Sequence, residues 1–133
     1  MTGIIVVCHN YLGVELVKTV KMIYGEVENL QGVCFLRHES LETLKERINN
    51  VIKQMKDADR IIFLVDMFGG SCAKTCCDFL ELKEYEILSG VNLPMILELI
   101  SKREQASSLK EAVELAKAAG TKGIISLKGF FRI

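Results

Sequence analysis

The sequence predicts an α/β fold: a doubly wound sheet of four parallel strands in the order 2-1-3-4, with helices on both faces. Three observations carry this. Strand-like and helix-like segments alternate along the chain, the arrangement that builds parallel sheets from strand–helix–strand units. Two segments, "GIIVVC" (3–8) and "RIIFLVD" (60–66), are unbroken β-branched apolar runs, as strands covered on both faces should be. The segments between them carry apolar residues at three- and four-residue spacing.

Taken in order, strand one is 3–8, and a helix-like pattern begins shortly after His9. Strand two is "QGVCFLR" (31–37), which makes Cys34 a core residue by the usual burial of free cysteine. A helix runs from Ser40 to Asp57 with Leu41, Leu44, Ile48, Val51, Ile52 and Met55 on one face, and Ser40 is its N-cap. His38, just before that helix, reads as a solvated loop residue. Strand three, 60–66, leads into a helix that begins at Ser71, for which Ser71 can act as N-cap. Strand four is "EYEILSG" (84–90). Pro94 fits the first turn of the next helix, where a missing N–H costs nothing. In "SSLKEAVELAKAAG", Ser108 and Glu111 make a capping box and Gly120 a stop. A last strand is expected over 123–131. No linker, repeat or low-complexity tract interrupts residues 1–133, which fit one domain.

Composition narrows the function. Seventeen basic residues balance seventeen acidic ones, which argues against a nucleic-acid or anionic-membrane surface. No apolar run approaches the roughly 20 residues of a membrane span. "MTGIIVVC" has no basic leader, so neither membrane insertion nor a signal peptide is expected. Five cysteines without the paired spacing of a secreted scaffold suggest reduced thiols and a cytoplasmic location. Cys72, Cys76 and Cys77 form C-x-x-x-C-C; Cys72 and Cys76 would share a helix face, but no second pair or adjacent histidine completes a zinc signature.

In parallel sheets, ligands bind beyond the carboxyl ends of the strands, where the strand order reverses. His9 falls at the end of strand one and Asp66 at the end of strand three, so the order 2-1-3-4 makes them neighbours at that crevice. After Asp66 comes "DMFGGSC" (66–72), in which Gly69 and Gly70 permit a sharp turn and a close backbone approach to a ligand. Loop N–H groups and the Ser71 hydroxyl there suit a phosphate or other anion. "GVNLPM" (90–95) should reach the same rim. Taken singly, these features are ordinary: a lone histidine usually packs, and Gly-Gly-Ser is a common loop tripeptide.

Two chemistries fit the pair. One is a hydrolase triad with Ser71 as nucleophile, but "GGSCA" lacks the second flanking glycine of a nucleophile elbow. The other is attack by the imidazole on a phosphoryl group, with the carboxylate holding one ring N–H and the loop receiving the phosphoryl oxygens. The second uses every residue noted and is preferred. A module of another class, binding metal or cycling thiols through Cys8, His9, Cys72 and Cys76, leaves Asp66 and the glycines without a task.

Through "VVCHNYLG", "FLVDMFGGS" and "SGVNLPMILELI" the chain resembles, along nearly its whole length, the mannose-type enzyme IIA domains of the bacterial sugar phosphotransferase system. The resemblance implies a homodimer in which an antiparallel C-terminal strand, here 123–131, crosses to the partner. It implies that His9 is phosphorylated, that Asp66 orients it, and that Ser71, with Gly69 and Gly70, holds the phosphoryl group. Asn10, Met67, Phe68, Cys72, Asn92, Leu93 and Pro94 would form the rim or contact partners. The donor would be the histidine phosphocarrier protein and the acceptor an enzyme IIB, with no metal and no organic cofactor. A regulatory relative uncoupled from transport, and a phosphoryl donor to dihydroxyacetone kinase, are the alternatives of the same ancestry. Two positions depart from the family pattern: Asn10 stands where glycine is usual, and Cys72 where proline usually follows Gly-Gly-Ser.

Overall fold

The computed structural model describes residues 1–79 and 84–131. The elements are β1 (Thr2–His9), α1 (Leu12–Tyr24), β2 (Leu30–Phe35), α2 (Leu41–Gln54), β3 (Arg60–Val65), α3 (Ser71–Cys76), β4 (Tyr85–Ser89), α4 (Leu93–Lys102), α5 (Leu109–Lys122) and α6 (Leu127–Phe131). All pairings of the four strands are parallel and the order is β2-β1-β3-β4, as expected.

Alternation along β1 distributes its side chains to two cores. Ile4, Val6 and Cys8 pack with Ile62 and Leu64 of β3 beneath α1, α4 and α5, while Ile5 and Val7 pack with Phe63 and Val65 beneath α2 and α3. Each of these side chains is essentially sealed from solvent, a burial that stabilises by about 1.5–3 kcal/mol per large aliphatic residue. Both faces of the two central strands are thus covered, which is why their sequences are continuous rather than alternating. Close approach of α1 to the sheet needs small residues: a Cβ on Gly13 would lie 2.5 Å from the Val6 carbonyl oxygen, and one on Gly32 2.6 Å from that of Gly13.

Several local expectations hold and others are corrected. Ser40 caps α2, its hydroxyl accepting from Thr43 N at 3.2 Å. The helix ends at Gln54, short of Asp57, because Met55 leaves the helical conformation (ψ 63°) yet stays buried; its side chain continues the apolar spacing beyond the helix. Ser108 caps α5 through Glu111 N at 3.1 Å, while the Glu111 carboxylate turns to the Ser107 hydroxyl and N–H. Gly120 does not stop that helix. It is a packing residue, where a Cβ would meet Met95 Cε at 3.0 Å, and the C-cap is Gly123. Cys34 is only half-buried, because β2 is an outer strand of the described sheet.

The expected C-terminal strand does not form. Residues 124–126 carry no regular structure and Leu127–Phe131 is a short helix, exposed throughout. Among the described residues of the single chain this segment pairs with no strand, and its amides turn to local bonds such as Phe130 N–H to the Ser126 carbonyl at 3.0 Å. No helix among the described residues is long and apolar enough to cross a membrane.

Candidate functional site

The register of β1 against β3 brings Val7 opposite Val65, so Cys8 and His9 run on beside the position where Asp66 leaves β3. There the backbone ladder gives way to a side chain. Asp66 Oδ2 accepts from the His9 backbone N–H at 2.9 Å and lies 2.8 Å from His9 Nδ1. One carboxylate oxygen therefore closes the strand ends and sets the ring. With Asp66 ionised, Nδ1 carries the proton and donates, which leaves Nε2 with a free lone pair. The His9 side chain is 44% exposed and that of Asp66 14%.

The carboxyl's own electrostatics agree with this. Burial by itself raises Asp66, but the hydrogen bonds from the His9 backbone and ring, together with the ring's charge, outweigh it and hold the carboxyl below its ordinary value. It is an anion at neutral pH, able to balance a positive imidazolium.

The two glycines of the loop divide their work. Gly69 takes the turn, at φ 82°, a conformation that strains any residue with a Cβ. Gly70 makes the approach: a Cβ there would lie 3.0 Å from His9 Cε1 and 3.6 Å from Nε2. Gly70, not Ser71, is the N-cap of α3, and Ser71 is the helix's first residue with no capping bond from its hydroxyl. The loop thus lines the Nε2 edge of the ring with the backbone of Gly70, one residue before Ser71.

Asn10 occupies the left-handed region at φ 56°, which asparagine tolerates better than other residues with a Cβ. Its backbone exchanges hydrogen bonds with Phe35 at 2.8 and 3.3 Å. Asparagine therefore meets the conformational demand of this position in place of glycine. Met67 and Phe68 stand exposed at the rim, Phe68 at 90%.

Asn92, Leu93 and Pro94 each have a structural engagement. Asn92 caps α4 through Met95 N at 3.0 Å and donates to the Gly120 carbonyl at 3.0 Å. Leu93 packs on the core below α4, and Pro94 lies in the first turn of that helix. Among the described residues, the polar contacts of Asn92 run to α4 and α5 rather than to the His9–Asp66 pair.

The sequence reading missed one neighbour of the imidazole, the Phe35 ring, which sits 6.1 Å from it at a tilt of 59°. Cys72, expected at the rim, brings its thiol to 4.0 Å from Nδ1. Phe35 was detectable only as the end of β2, the strand beside β1. Beyond Phe35 a cleft of about 510 Å³ runs from His9 along Arg37, His38 and Glu39, with His38 exposed as expected. A second cleft, of about 460 Å³, lies on the other flank between Phe68, Gly70, Lys74 and Ser89. His9 stands between two open recesses.

Cys72 and Cys76 do share the buried face of α3. Burial, with the Asp66 charge adding to it, pushes the Cys72 and Cys8 thiols up to about 12, and burial raises Cys76 as well. Protonated thiols of this kind are poor nucleophiles, which counts against a thiol redox module.

Comparison with known proteins agrees with the geometry. The chain is 35% identical over 127 residues to the mannose-specific EIIAB component of Escherichia coli K12, covering 95% of this chain and 39% of that protein; it therefore spans well under half of that relative. It is 34% identical over 119 residues to the fructose-specific EIIA component of Bacillus subtilis 168, covering 89% of this chain and 81% of the relative. The fold superimposes on the phosphotransferase system component EIIA of Streptococcus agalactiae with a TM-score of 0.86 at 22% identity, covering 97% and 99% of the two chains. Because the family match runs from residue 3 to 117, and so takes in both strands that present the His–Asp pair, the chain belongs to the EIIA-man family, the PTS system fructose IIA component.

Proposed function

We propose that this protein is a cytoplasmic phosphohistidine carrier of a sugar phosphotransferase system, with His9 Nε2 as the atom that bears the phosphoryl group. The observation that carries this reading is the single carboxylate oxygen of Asp66 engaging both the backbone and Nδ1 of His9, at 2.9 and 2.8 Å. That contact leaves Nε2 facing the Gly70 backbone at an open rim.

In the forward step the Nε2 lone pair attacks phosphorus. The bond from phosphorus to the donor's histidine nitrogen breaks, and that nitrogen keeps the electron pair. The ring becomes cationic with Nδ1–H still bonded to Asp66, whose negative charge stabilises it. Phosphoryl transfer asks mainly for positioning and charge stabilisation. Loop N–H groups from Gly69 to Ser71 and the Ser71 hydroxyl receive the phosphoryl oxygens. The donor is the histidine phosphocarrier protein and the acceptor an enzyme IIB; the Escherichia coli relative, an EIIAB component, carries IIA and IIB in one chain. Met67 and Phe68, exposed beside His9, supply the apolar contact either partner needs.

The same reading makes the protein a homodimer. β4 is an outer strand of the described sheet, and a groove of about 550 Å³ runs along it and α5. Ile124, Leu127, Phe130 and Phe131 are exposed nearby in sequence, apolar residues that a second copy would cover. Sedimentation of the full chain against one ending at residue 122 reads this directly.

The decisive experiment is phosphorylation by a phosphoenolpyruvate-driven phosphocarrier system. An acid-labile label is expected on the wild type and none on His9→Ala. Equal labelling of a folded His9→Ala variant would refute the assignment.

A further inference from the structure

Cys72 touches the imidazole, yet phosphotransfer gives its thiol nothing to do. It sits, fully buried, in a chemically distinctive position: Sγ is 4.0 Å from His9 Nδ1, and Nδ1 is 2.8 Å from Asp66 Oδ2. One ligand atom from each of His9, Asp66 and Cys72 can be chosen so that all lie within 4.8 Å of one another. We propose that these three residues form an inhibitory site for a borderline-soft divalent cation of the Zn²⁺ class, which blocks phosphoryl acceptance by holding His9 in the wrong tautomer.

The donor set is selective. An imidazole nitrogen, a carboxylate oxygen and a sulfur suit Zn²⁺, whereas Mg²⁺ and Ca²⁺ take oxygen ligands. Tetrahedral bonds of about 2.0–2.3 Å place ligand atoms about 3.2–3.8 Å apart. The observed separations bracket that range, so small side-chain rotations are enough to close the site. Asp66 also has capacity to spare: Oδ2 takes both contacts from His9, while Oδ1 is buried without a hydrogen-bond partner among the described residues. Charge favours a cation, since the carboxylate is the charged group at the centre of the trio. Of the three, His9 is the exposed member, its side chain 44% accessible, so an ion arrives past the imidazole. A three-ligand site with one open position is a familiar zinc arrangement.

The inhibition follows from the tautomer. A cation on Nδ1 replaces the proton there, so a neutral ring carries its proton on Nε2 and the attacking lone pair is lost. The Cys72 thiol proton passes to solvent as the metal–sulfur bond forms. Dissociation of the ion reverses both changes. Family members with proline after Gly-Gly-Ser lack this sulfur, so the device belongs to chains like this one.

The inhibitory role rests on His9 being the phosphoryl acceptor; ion binding does not, and the test separates them. Full-length, reduced, chelator-treated protein is titrated with Cd²⁺, whose thiolate bond absorbs in the ultraviolet, and with Zn²⁺ in competition. The expected result is one equivalent of ion whose absorption persists in Cys77→Ser, which removes the exposed thiol, and vanishes in Cys72→Ala. Affinity should fall at least about tenfold in Cys72→Ala and in His9→Gln, since even outer-shell losses at metal sites cost that much. Zn²⁺ should slow labelling of the wild type, and Cys72→Ala and Cys72→Ser should need at least about tenfold more ion, each rate referred to the same variant without ion. Undiminished absorption in Cys72→Ala, or unchanged affinity in His9→Gln, overturns the site. Saturation with Zn²⁺ at an unchanged labelling rate overturns the inhibition. If the ion-free protein accepts no phosphoryl group, the carrier reading fails and the inhibitory role with it, while the Cd²⁺ titration still decides the ion site by itself.

Discussion

Gly70→Ala is expected to disable the site while leaving the fold intact. Gly70 has φ −87° and ψ 176°, extended values that alanine adopts freely, so the substitution introduces no backbone strain. Its effect is confined to one methyl group. That Cβ would lie 3.0 Å from His9 Cε1 and 3.6 Å from Nε2, with Met67 Cγ at 3.4 Å behind it. Ordinary contact to Cε1 requires the ring to retreat by about 0.4 Å or more, which draws Nδ1 from Asp66 out of the favoured hydrogen-bond distance of about 2.9 Å. The methyl also crowds Nε2, the atom to which phosphorus must bond, at 3.6 Å. Since a misplacement of about 1 Å can cost about 10²-fold, this smaller retreat together with the crowding should cost about tenfold or more in rate, or about 1.4 kcal/mol or more of barrier. Stability should shift by less than about 1 kcal/mol, because removing a glycine's freedom from the unfolded chain offsets part of the crowding. The assay is the rate of phosphoryl acceptance beside a thermal unfolding curve. A folded Gly70→Ala protein accepting at the wild-type rate would refute the claim that this backbone lines the reacting edge.

Gly69→Ala should show the opposite pattern in unfolding experiments, losing about 1–2 kcal/mol to its φ of 82° although nothing lies within 4 Å of the added methyl. Asn10→Ala should lower stability by about 1 kcal/mol and Asn10→Gly should not, since only the left-handed backbone is at stake there; thermal midpoints distinguish the two. Asp66→Asn keeps the shape but loses the charge that balances the phosphorylated ring, and acceptance should fall by about 10²-fold or more. Because the folded carboxyl is held below its ordinary value, Asp66 contributes stability that is fully present above the unfolded value of about 3.9 and lost as pH drops through the folded one. The stability gap between wild type and Asp66→Asn, followed by denaturant titration, should therefore narrow in acid. At the other end of the sheet, buried Arg103 donates to the carbonyls of Thr2, Asn29 and Glu28 at 3.1, 3.2 and 2.7 Å. Arg103→Met should cost about 1–3 kcal/mol by removing those bonds, although the Asn29 carbonyl keeps its bond from Ile4 N–H at 2.9 Å, with no change in the labelling rate of the folded fraction.

Much of this architecture is written in local patterns. Unbroken runs such as Ile4–Cys8 and Ile61–Val65 identify buried strands whatever surrounds them, because both faces of a central strand must be apolar. Ser40 and Ser108 announce helix starts, since a side-chain oxygen there satisfies an amide that no other geometry serves as well. The strand order alone puts His9 and Asp66 on one rim. Where local pattern misled, the cause is physical. Gly120 resembles a stop because glycine ends helices, yet α4 lies so close that only glycine fits inside α5. Residues 123–131 read as a strand from their apolar spacing, but spacing reports the tendency to be covered and is silent on which backbone supplies the hydrogen bonds.

The amino-acid order by itself determined the elements, their alternation, and the strand ends that carry His9 and Asp66. Only the folded chain decided that one oxygen of Asp66 grips His9 twice, that Phe35 and the Cys72 thiol flank the imidazole, and that Asn92 ties α4 to α5. The physical reason is range. Periodicity and capping depend on neighbours within a turn or a strand, whereas contacts between residues 57 and 63 positions apart depend on sheet register and on how α3 leaves its loop.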